Sequence, residues 1–216
     1  MGKRQAAVDE TRARILTAAR DVLTSSGRYA EFSIPGVARA ADVARVTVYN
    51  QFGSKTGLLE ALSDELASRG GLHRVATIVT EGDPAAAIGR FVAVFTGFWQ
   101  SDRLVIRRLR ALAALDPELE KAIAGRDERR RNGARRLVQR LPAHGQGGGL
   151  DTDTAVDVLA ELTSFETYDA LADADRTPDE ATAVITDLAH RALGVANPQG
   201  RGELSTAWSQ SPASVS

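Results

Sequence analysis

The chain contains no cysteine. That excludes disulfides, thiolate metal centres and cysteine nucleophiles, and leaves a reducing interior unproblematic. It also lacks a charged-then-apolar leader and any apolar run near the roughly 18 residues that a membrane span needs, so a soluble cytoplasmic protein is expected. The opening M-G-K-R-Q-A lacks the Ser or Thr of a myristoylation signal. Period-two strand patterns are scarce. No H-E-x-x-H, G-x-S-x-G or P-loop sequence occurs, and His73, His144 and His190 are scattered. Asp151, Asp153 and Asp157 hint at a calcium loop, but Val156 stands where that loop needs glycine and Leu162 where it needs glutamate. They read as helix-capping residues. No cofactor and no enzymatic activity are therefore expected.

Net charge is close to zero, at −1, but its distribution is uneven. Residues 1–55 carry nine Lys/Arg against five Asp/Glu, or +4, and the remainder carries −5. A basic head on an acidic body concentrates attraction to phosphate at one end.

Helical periodicity runs through the whole chain, and the fold class read from it is all-α. A first helix is predicted from about Asp9 to Ser25, with Ile15, Ala18, Ala19, Val22 and Leu23 on one stripe and Gly27 closing it. Leu58, Leu59, Leu62 and Leu66 mark a helix from Lys55 that stops at Gly70-Gly71. Asp83-Pro84 opens a helix to about Gln100, another covers Asp102 to Leu115, and Asp116-Pro117 opens a charged one to about Leu141. Four glycines in Pro142–Gly149 break regular structure. A helix is expected from about Thr154 to Ala172, and a last one from Thr177-Pro178 to Gly194. The Ser/Gly/Pro-rich stretch 197–216 reads as a disordered tail.

The most informative stretch is Ser33 to Lys55, S-I-P-G-V-A-R-A-A-D-V-A-R-V-T-V-Y-N-Q-F-G-S-K. Ser33 is a good N-cap, and Pro35 sits in the first turn, where a missing N–H costs nothing. Val37, Ala38 and Ala41 recur at helical spacing, and Asp42 is a residue that tolerates a left-handed turn. The following helix, Ala44 to Phe52, has Val48 and Phe52 for one buried ridge and leaves the rest outside. That is the pattern of a helix-turn-helix with its recognition helix.

DNA chemistry assigns a candidate role to each exposed side chain. Arg45 suits guanine O6 and N7, and Val46 suits a thymine methyl. Thr47 and Tyr49 offer hydroxyls to phosphate oxygens, while Asn50 and Gln51 suit phosphate or an adenine edge. Lys55 and Ser33, each at a helix start, can both face a phosphate. Tyr49 is alternatively a partly buried core residue, and Arg45 alternatively a solvated one. Lys3 and Arg4 form either a DNA-touching arm or a solvated terminus.

Thr11 to Leu59 resembles the DNA-binding domain of the TetR family of bacterial transcriptional regulators. The likeness rests on T-R-A-R-I-L-T-A-A-R, Gly27, A-A-D-V and above all T-V-Y-N-Q-F-G-S-K-T-G-L-L. Asp42 departs from the glycine usual in the family's turn. The resemblance implies a three-helix DNA-binding domain over 1–55 and a helical ligand-binding and dimerisation domain over 56–196, about nine helices in all. It places Thr47, Tyr49 and Lys55 on the DNA backbone and Arg45 and Val46 on bases. It further implies a cytoplasmic homodimer acting as a repressor on a near-palindromic operator and released by a small-molecule effector.

In the body, Val156, Leu159, Ala160 and Thr163 mark one face of a helix and Val158, Leu162, Phe165 and Tyr168 another. Val184, Ile185, Leu188, Ala189, Ala192 and Leu193 form a broad stripe on the last. A helix apolar on two sides must bury both, in a dimer interface or in a larger monomeric core. Phe91, Phe95, Phe98, Trp99, Phe165 and Tyr168 read as the lining of an effector pocket for a largely apolar ligand, or as plain core. Arg107, within the cluster Arg103, Arg107, Arg108 and Arg110, is the candidate partner for an anionic group. Two other readings stay open: a helical interaction protein with a vestigial helix-turn-helix, and a helical enzyme with an unrecognised site.

Overall fold

The computed structural model describes residues 2–25, 32–172 and 175–196. Gly27, the stretch from Asn197 and the side chains of Lys3 and Arg4 lie outside the described residues. Eleven α-helices and no strand are found among those described: α1 (Lys3–Ser25), α2 (Ile34–Ala40), α3 (Arg45–Phe52), α4 (Lys55–Arg69), α5 (Val75–Ile78), α6 (Pro84–Ser101), α7 (Arg103–Ala113), α8 (Pro117–Val138), α9 (Thr152–Leu162), α10 (Phe165–Ala172) and α11 (Pro178–Ala192). The all-α expectation holds.

Two differences from the sequence reading raise the helix number above nine. The short α5 lies in a stretch where no helix is expected. The single helix expected over Thr154–Ala172 is instead two, broken at Thr163-Ser164. Thr163 folds its hydroxyl back onto the Leu159 carbonyl at 2.8 Å and the Ala160 carbonyl at 3.2 Å. Ser164 Oγ then accepts the Thr167 N–H at 3.1 Å, capping α10 afresh. Buried Arg130 donates to the Ala160 carbonyl and to Thr163 Oγ1, which gives the C-terminal end of α9 a cationic partner. α1 also begins six residues earlier than its expected start at Asp9, at Lys3.

The other boundaries follow their caps. Asp83 Oδ2 accepts the Ala86 N–H at 2.8 Å, and Asp116 Oδ1 accepts those of Glu118 and Leu119 at 3.1 and 3.2 Å. Asp151 caps α9 through the Thr154 N–H at 3.0 Å. Asp157 pairs with Arg131, so both aspartates serve the fold. Thr177 and Glu180 form a complete capping box at the start of α11. These bonds hold the Asp83, Asp151 and Glu180 carboxyls below the usual carboxylate range: the Ala86 N–H foremost for Asp83, the Thr154 hydroxyl for Asp151 and the Thr177 N–H for Glu180.

Among the described residues the helices divide into two compact units, one drawn from 2–73 and 98–128 and the other from 74–97 and 129–196. This division does not follow a boundary at residue 55, because α1 packs on α7 as well as on α2 and α4. In the first unit Ile15, Ala19, Val37, Val48, Leu58 and Leu59 are wholly buried. Arg20 of α1 pairs with Asp102 at the head of α7, and Arg108 of α7 donates to the Leu23 carbonyl. That bond to Asp102 pushes the Arg20 guanidinium pKa above its ordinary value. Arg126 of α8 reaches Asp64 of α4 at 2.8 Å.

In the second unit α9, α10 and α11 pack on one another. Ile88, Phe91, Val92, Leu137, Leu159 and Ile185 make its core. Phe91 lies so close to α8 that a Cβ on Gly133 would come within 3.0 Å of its ring. His190 is buried with Nε2 3.0 Å from the Ala85 carbonyl, and Thr182 donates to Thr96 Oγ1 at 2.9 Å.

Candidate nucleic-acid interface

The helix-turn-helix forms as its residues require. Ser33 caps α2, its Oγ accepting the Gly36 N–H at 3.3 Å, so the hydroxyl proton stays available to a phosphate. The turn closes through Asp42 N–H to the Arg39 carbonyl at 3.2 Å and Val43 N–H to the Ala38 carbonyl at 3.0 Å. Asp42 takes a positive φ of 52°, which an aspartate supplies at lower cost than most side chains.

α3 then has one wholly buried side chain, Val48, with Phe52 half-buried behind it. Its other face is open: Arg45 and Asn50 are exposed, Val46 is 61% exposed and Tyr49 is 51% exposed. Thr47 and Gln51 are half-buried at its margins. The exposed face combines one guanidinium, a phenol, a carboxamide and a branched aliphatic, the mixture that base edges and phosphates both accept. Ala44 gives α3 no side-chain cap at its N-terminus.

The corner after α3 is built tightly. Gly53 adopts φ 74° and donates to the Tyr49 carbonyl at 2.8 Å. Ser54 caps α4, accepting the Gly57 N–H at 2.9 Å. A Cβ on Gly57 would lie 2.1 Å from the Phe52 carbonyl oxygen, so only glycine lets α3 and α4 approach this closely. Lys55 opens α4 half-buried, its Nζ 5.9 Å from the centroid of the buried Phe32 ring. Phe32 immediately precedes Ser33, so the contact places Lys55 beside the segment that leads into α2.

Two residues that stand within the sequence motifs without an assigned role shape this surface. Gly57 carries a signal in hindsight, as the glycine inside G-S-K-T-G-L-L. Arg12 carries none, because it lies 39 residues from its partner: its Nη1 donates to the Gln51 carbonyl at 3.2 Å.

The aromatic candidates of the body are all buried, each below 10% exposure. They do not fall in one unit. Phe91 and Phe95, stacked edge-on at 4.9 Å, belong to the second with Phe165 and Tyr168. Phe98 and Trp99, 4.6 Å apart, belong to the first with the half-buried Arg107. There Arg110 lies 5.8 Å from the Trp99 ring and pairs with Asp127 at 2.8 Å. Much of the arginine cluster thus serves internal contacts.

Such a surface, a short recognition helix displayed on a turn between two capped helices, defines a helix-turn-helix DNA-binding protein. Residues 15–62 match the family model for bacterial regulatory proteins of the tetR family. No curated protein sequence matches the chain. Among solved structures, a TetR transcription regulator from Haloarcula marismortui superposes with a TM-score of 0.68 at 17% identity, covering 85% of this chain and 98% of its own. PfmR, a TetR-family transcriptional regulator from Thermus thermophilus, gives 0.61 at 24%, covering 84% and 98%. A regulator from Saccharomonospora viridis in complex with choline gives 0.66 at 18%, covering 83% and 95%. The chain is a DNA-binding transcriptional regulator that carries a tetR-family DNA-binding domain over residues 15–62 and shares its fold with TetR-family regulators. No helix among the described residues is long and apolar enough to cross a membrane.

Proposed function

We propose that this regulator acts as a cytoplasmic homodimer that represses its target and is released by a small-molecule effector, working through binding alone and not through catalysis. The observation that carries the reading is the open face of α3, with Arg45, Val46, Tyr49 and Asn50 uncovered above the single buried anchor Val48. Residues 1–55 read the DNA and residues 56–196 bind the effector and the second copy. Arg45 and Val46 meet base edges. Thr47, Tyr49, Lys55 and Ser33 hold phosphates, and Asn50 and Gln51 serve either.

Dimerisation is supported by the last helices. Val184 and Ala192 are half-buried and Leu188 is 44% exposed, which leaves α11 an apolar stripe beside its buried one. Val158 and Leu162 do the same on α9. For the effector, the support is the aromatic set Phe91, Phe95, Phe165 and Tyr168 in the second unit, whose chemistry favours a largely apolar ligand. The choline complex of the Saccharomonospora viridis regulator illustrates a small molecule held by a protein of this fold. Two of the three histidines have backbone partners, His144 at the Arg140 carbonyl and His190 at those of Thr186 and Ala85, an arrangement that suits packing better than proton transfer.

The deciding experiment selects duplexes from a random-sequence pool and measures their affinity by gel shift at two salt concentrations. The expected product is two related half-sites whose centres lie about one helical turn apart, some 34–36 Å, or a multiple of it. Arg45→Ala should relax preference at one base pair per half-site, at a cost of about 1–3 kcal/mol. Equal affinity of the wild type for every duplex would overturn the reading.

A further inference from the structure

α3 is held from behind by unusually little. One side chain of its eight residues is fully buried, and its N-terminus has no side-chain cap. Its C-terminal carbonyls have three different keepers. Tyr49 O accepts the Gly53 N–H at 2.8 Å, and Phe52 O accepts the Ser54 N–H at 2.9 Å. Gln51 O accepts Nη1 of Arg12, which arrives from α1 at 3.2 Å. The same guanidinium sits 4.5 Å from the centroid of the Phe52 ring.

Each part of this contact is favourable for a stated reason. The last carbonyls of a helix lack intrahelical donors, so an arriving N–H satisfies an orphan acceptor. A cation at that end also meets the negative pole of the helix dipole. The flat guanidinium can stack on an aromatic face while donating in its own plane, which an ammonium cannot do equally well. Arg12 therefore fixes both the end of the α3 backbone and its last side chain. Tyr49, Asn50 and, across the Gly53 corner, Lys55 all project from the segment so fixed.

We propose that Arg12 is a positioning residue for DNA recognition: it holds the C-terminal half of α3 in the one pose in which Tyr49, Asn50 and Lys55 engage the operator together. The proposal rests on α3 being the DNA-reading helix, as above, and assigns Arg12 no phosphate of its own.

The test compares wild type, Arg12→Gln and Arg12→Lys on two probes, a duplex selected by the wild type from random DNA and a scrambled duplex of equal length. Arg12→Gln should weaken binding to the selected duplex about tenfold, the size expected when a charge-assisted hydrogen bond holding the reading surface is lost. Binding to the scrambled duplex should fall by less, about threefold, because Tyr49 and Lys55 still reach its phosphates from the loosened segment while base contacts add nothing there, and its salt dependence should stay close to that of the wild type. Amide hydrogen exchange should quicken at Gly53 and Ser54, whose N–H groups bond to the end of α3, and not in α2. Arg12→Lys keeps the charge and one donor but loses the stacked plane, and should fall between.

Equal losses on both probes with a salt slope shallower by about one would make Arg12 a direct phosphate ligand and overturn the proposal. A lower melting temperature with selectivity and exchange unchanged would make it a structural residue only, overturning it likewise. Should Arg12→Gln fail to fold, an Arg12→Lys protein with wild-type selectivity and exchange would have the same consequence. A wild type that prefers no duplex would instead refute the DNA-reading role of α3.

Discussion

α3 and α11 both leave one face uncovered, and the two faces have opposite chemistry. α3 presents Arg45, Tyr49 and Asn50 with a lone aliphatic, Val46, above one wholly buried valine. α11 presents Val184, Leu188 and Ala192 beside a second, fully buried row of Ala181, Ile185 and Ala189. A face of hydrogen-bonding donors gains from a charged, hydrated partner. A face of aliphatics gains only by leaving water, so its fitting partner is another apolar surface. Exposure alone therefore does not define a site. The chemistry of the exposed face decides what can cover it.

The largest effect should come from inverting the α11 face. Leu188→Glu puts a charge in the proposed interface and should convert the protein to monomers by sedimentation. Operator affinity should fall by about two orders of magnitude, as two linked reading heads become one. A monomeric wild type that binds its operator tightly would break the comparison, because α11 would then need no partner.

Next in size is Gly57→Ala, which sharpens the account of how α3 is displayed. The new Cβ would meet a backbone oxygen at 2.1 Å, and backbone cannot swing aside. A loss of about 1–3 kcal/mol in denaturant unfolding is expected for such overpacking, with weakened DNA binding as α3 and α4 separate. A variant of wild-type stability would mean the corner is looser than its geometry implies.

Lys55→Ala should have a milder effect with a distinct signature. Specific and non-specific DNA should lose affinity together, and the slope of log K against log salt should become shallower by about one unit. A change in sequence preference without loss of non-specific affinity would move Lys55 from phosphate to base.

The smallest effect concerns the α11 capping box. The Glu180 carboxyl is held below its ordinary pKa, first by the Thr177 N–H and then by the Thr177 hydroxyl. A carboxyl lowered in the folded state adds stability above its unfolded value and loses that contribution as pH falls through the folded one. Melting temperature should thus decline as pH drops below the carboxylate range, about 4, and Glu180→Gln should flatten part of that decline. Because Asp83 and Asp151 are lowered too, the flattening should be partial, and a profile unchanged by Glu180→Gln would place the acid sensitivity at the other caps.

The local devices were legible in the chain: Ser33, Asp83, Asp116, Asp151 and Thr177 each mark a helix start, and Asp42 its turn. Such signals act within about one turn of helix, so their meaning does not depend on distant partners. The face of α3 was legible for the same reason, since one short helix with two apolar ridge residues has one way to lie on its support.

The tertiary structure decided what lies beyond that range. It broke α9 from α10 at Thr163-Ser164, where Arg130 of α8 meets the carbonyl of Ala160. It drew α7 against α1 through Arg20 and Asp102, 82 residues apart, making one unit of segments that the sequence pattern assigns to head and body. It divided the aromatics of α6 between two units, although a single apolar stripe runs through them. Periodicity records which side of a helix avoids water, and it does not record which neighbour takes the water's place. Arg12 is the plainest instance: in sequence it is one more arginine of the N-terminal helix, and only the folded chain brings it to the end of α3.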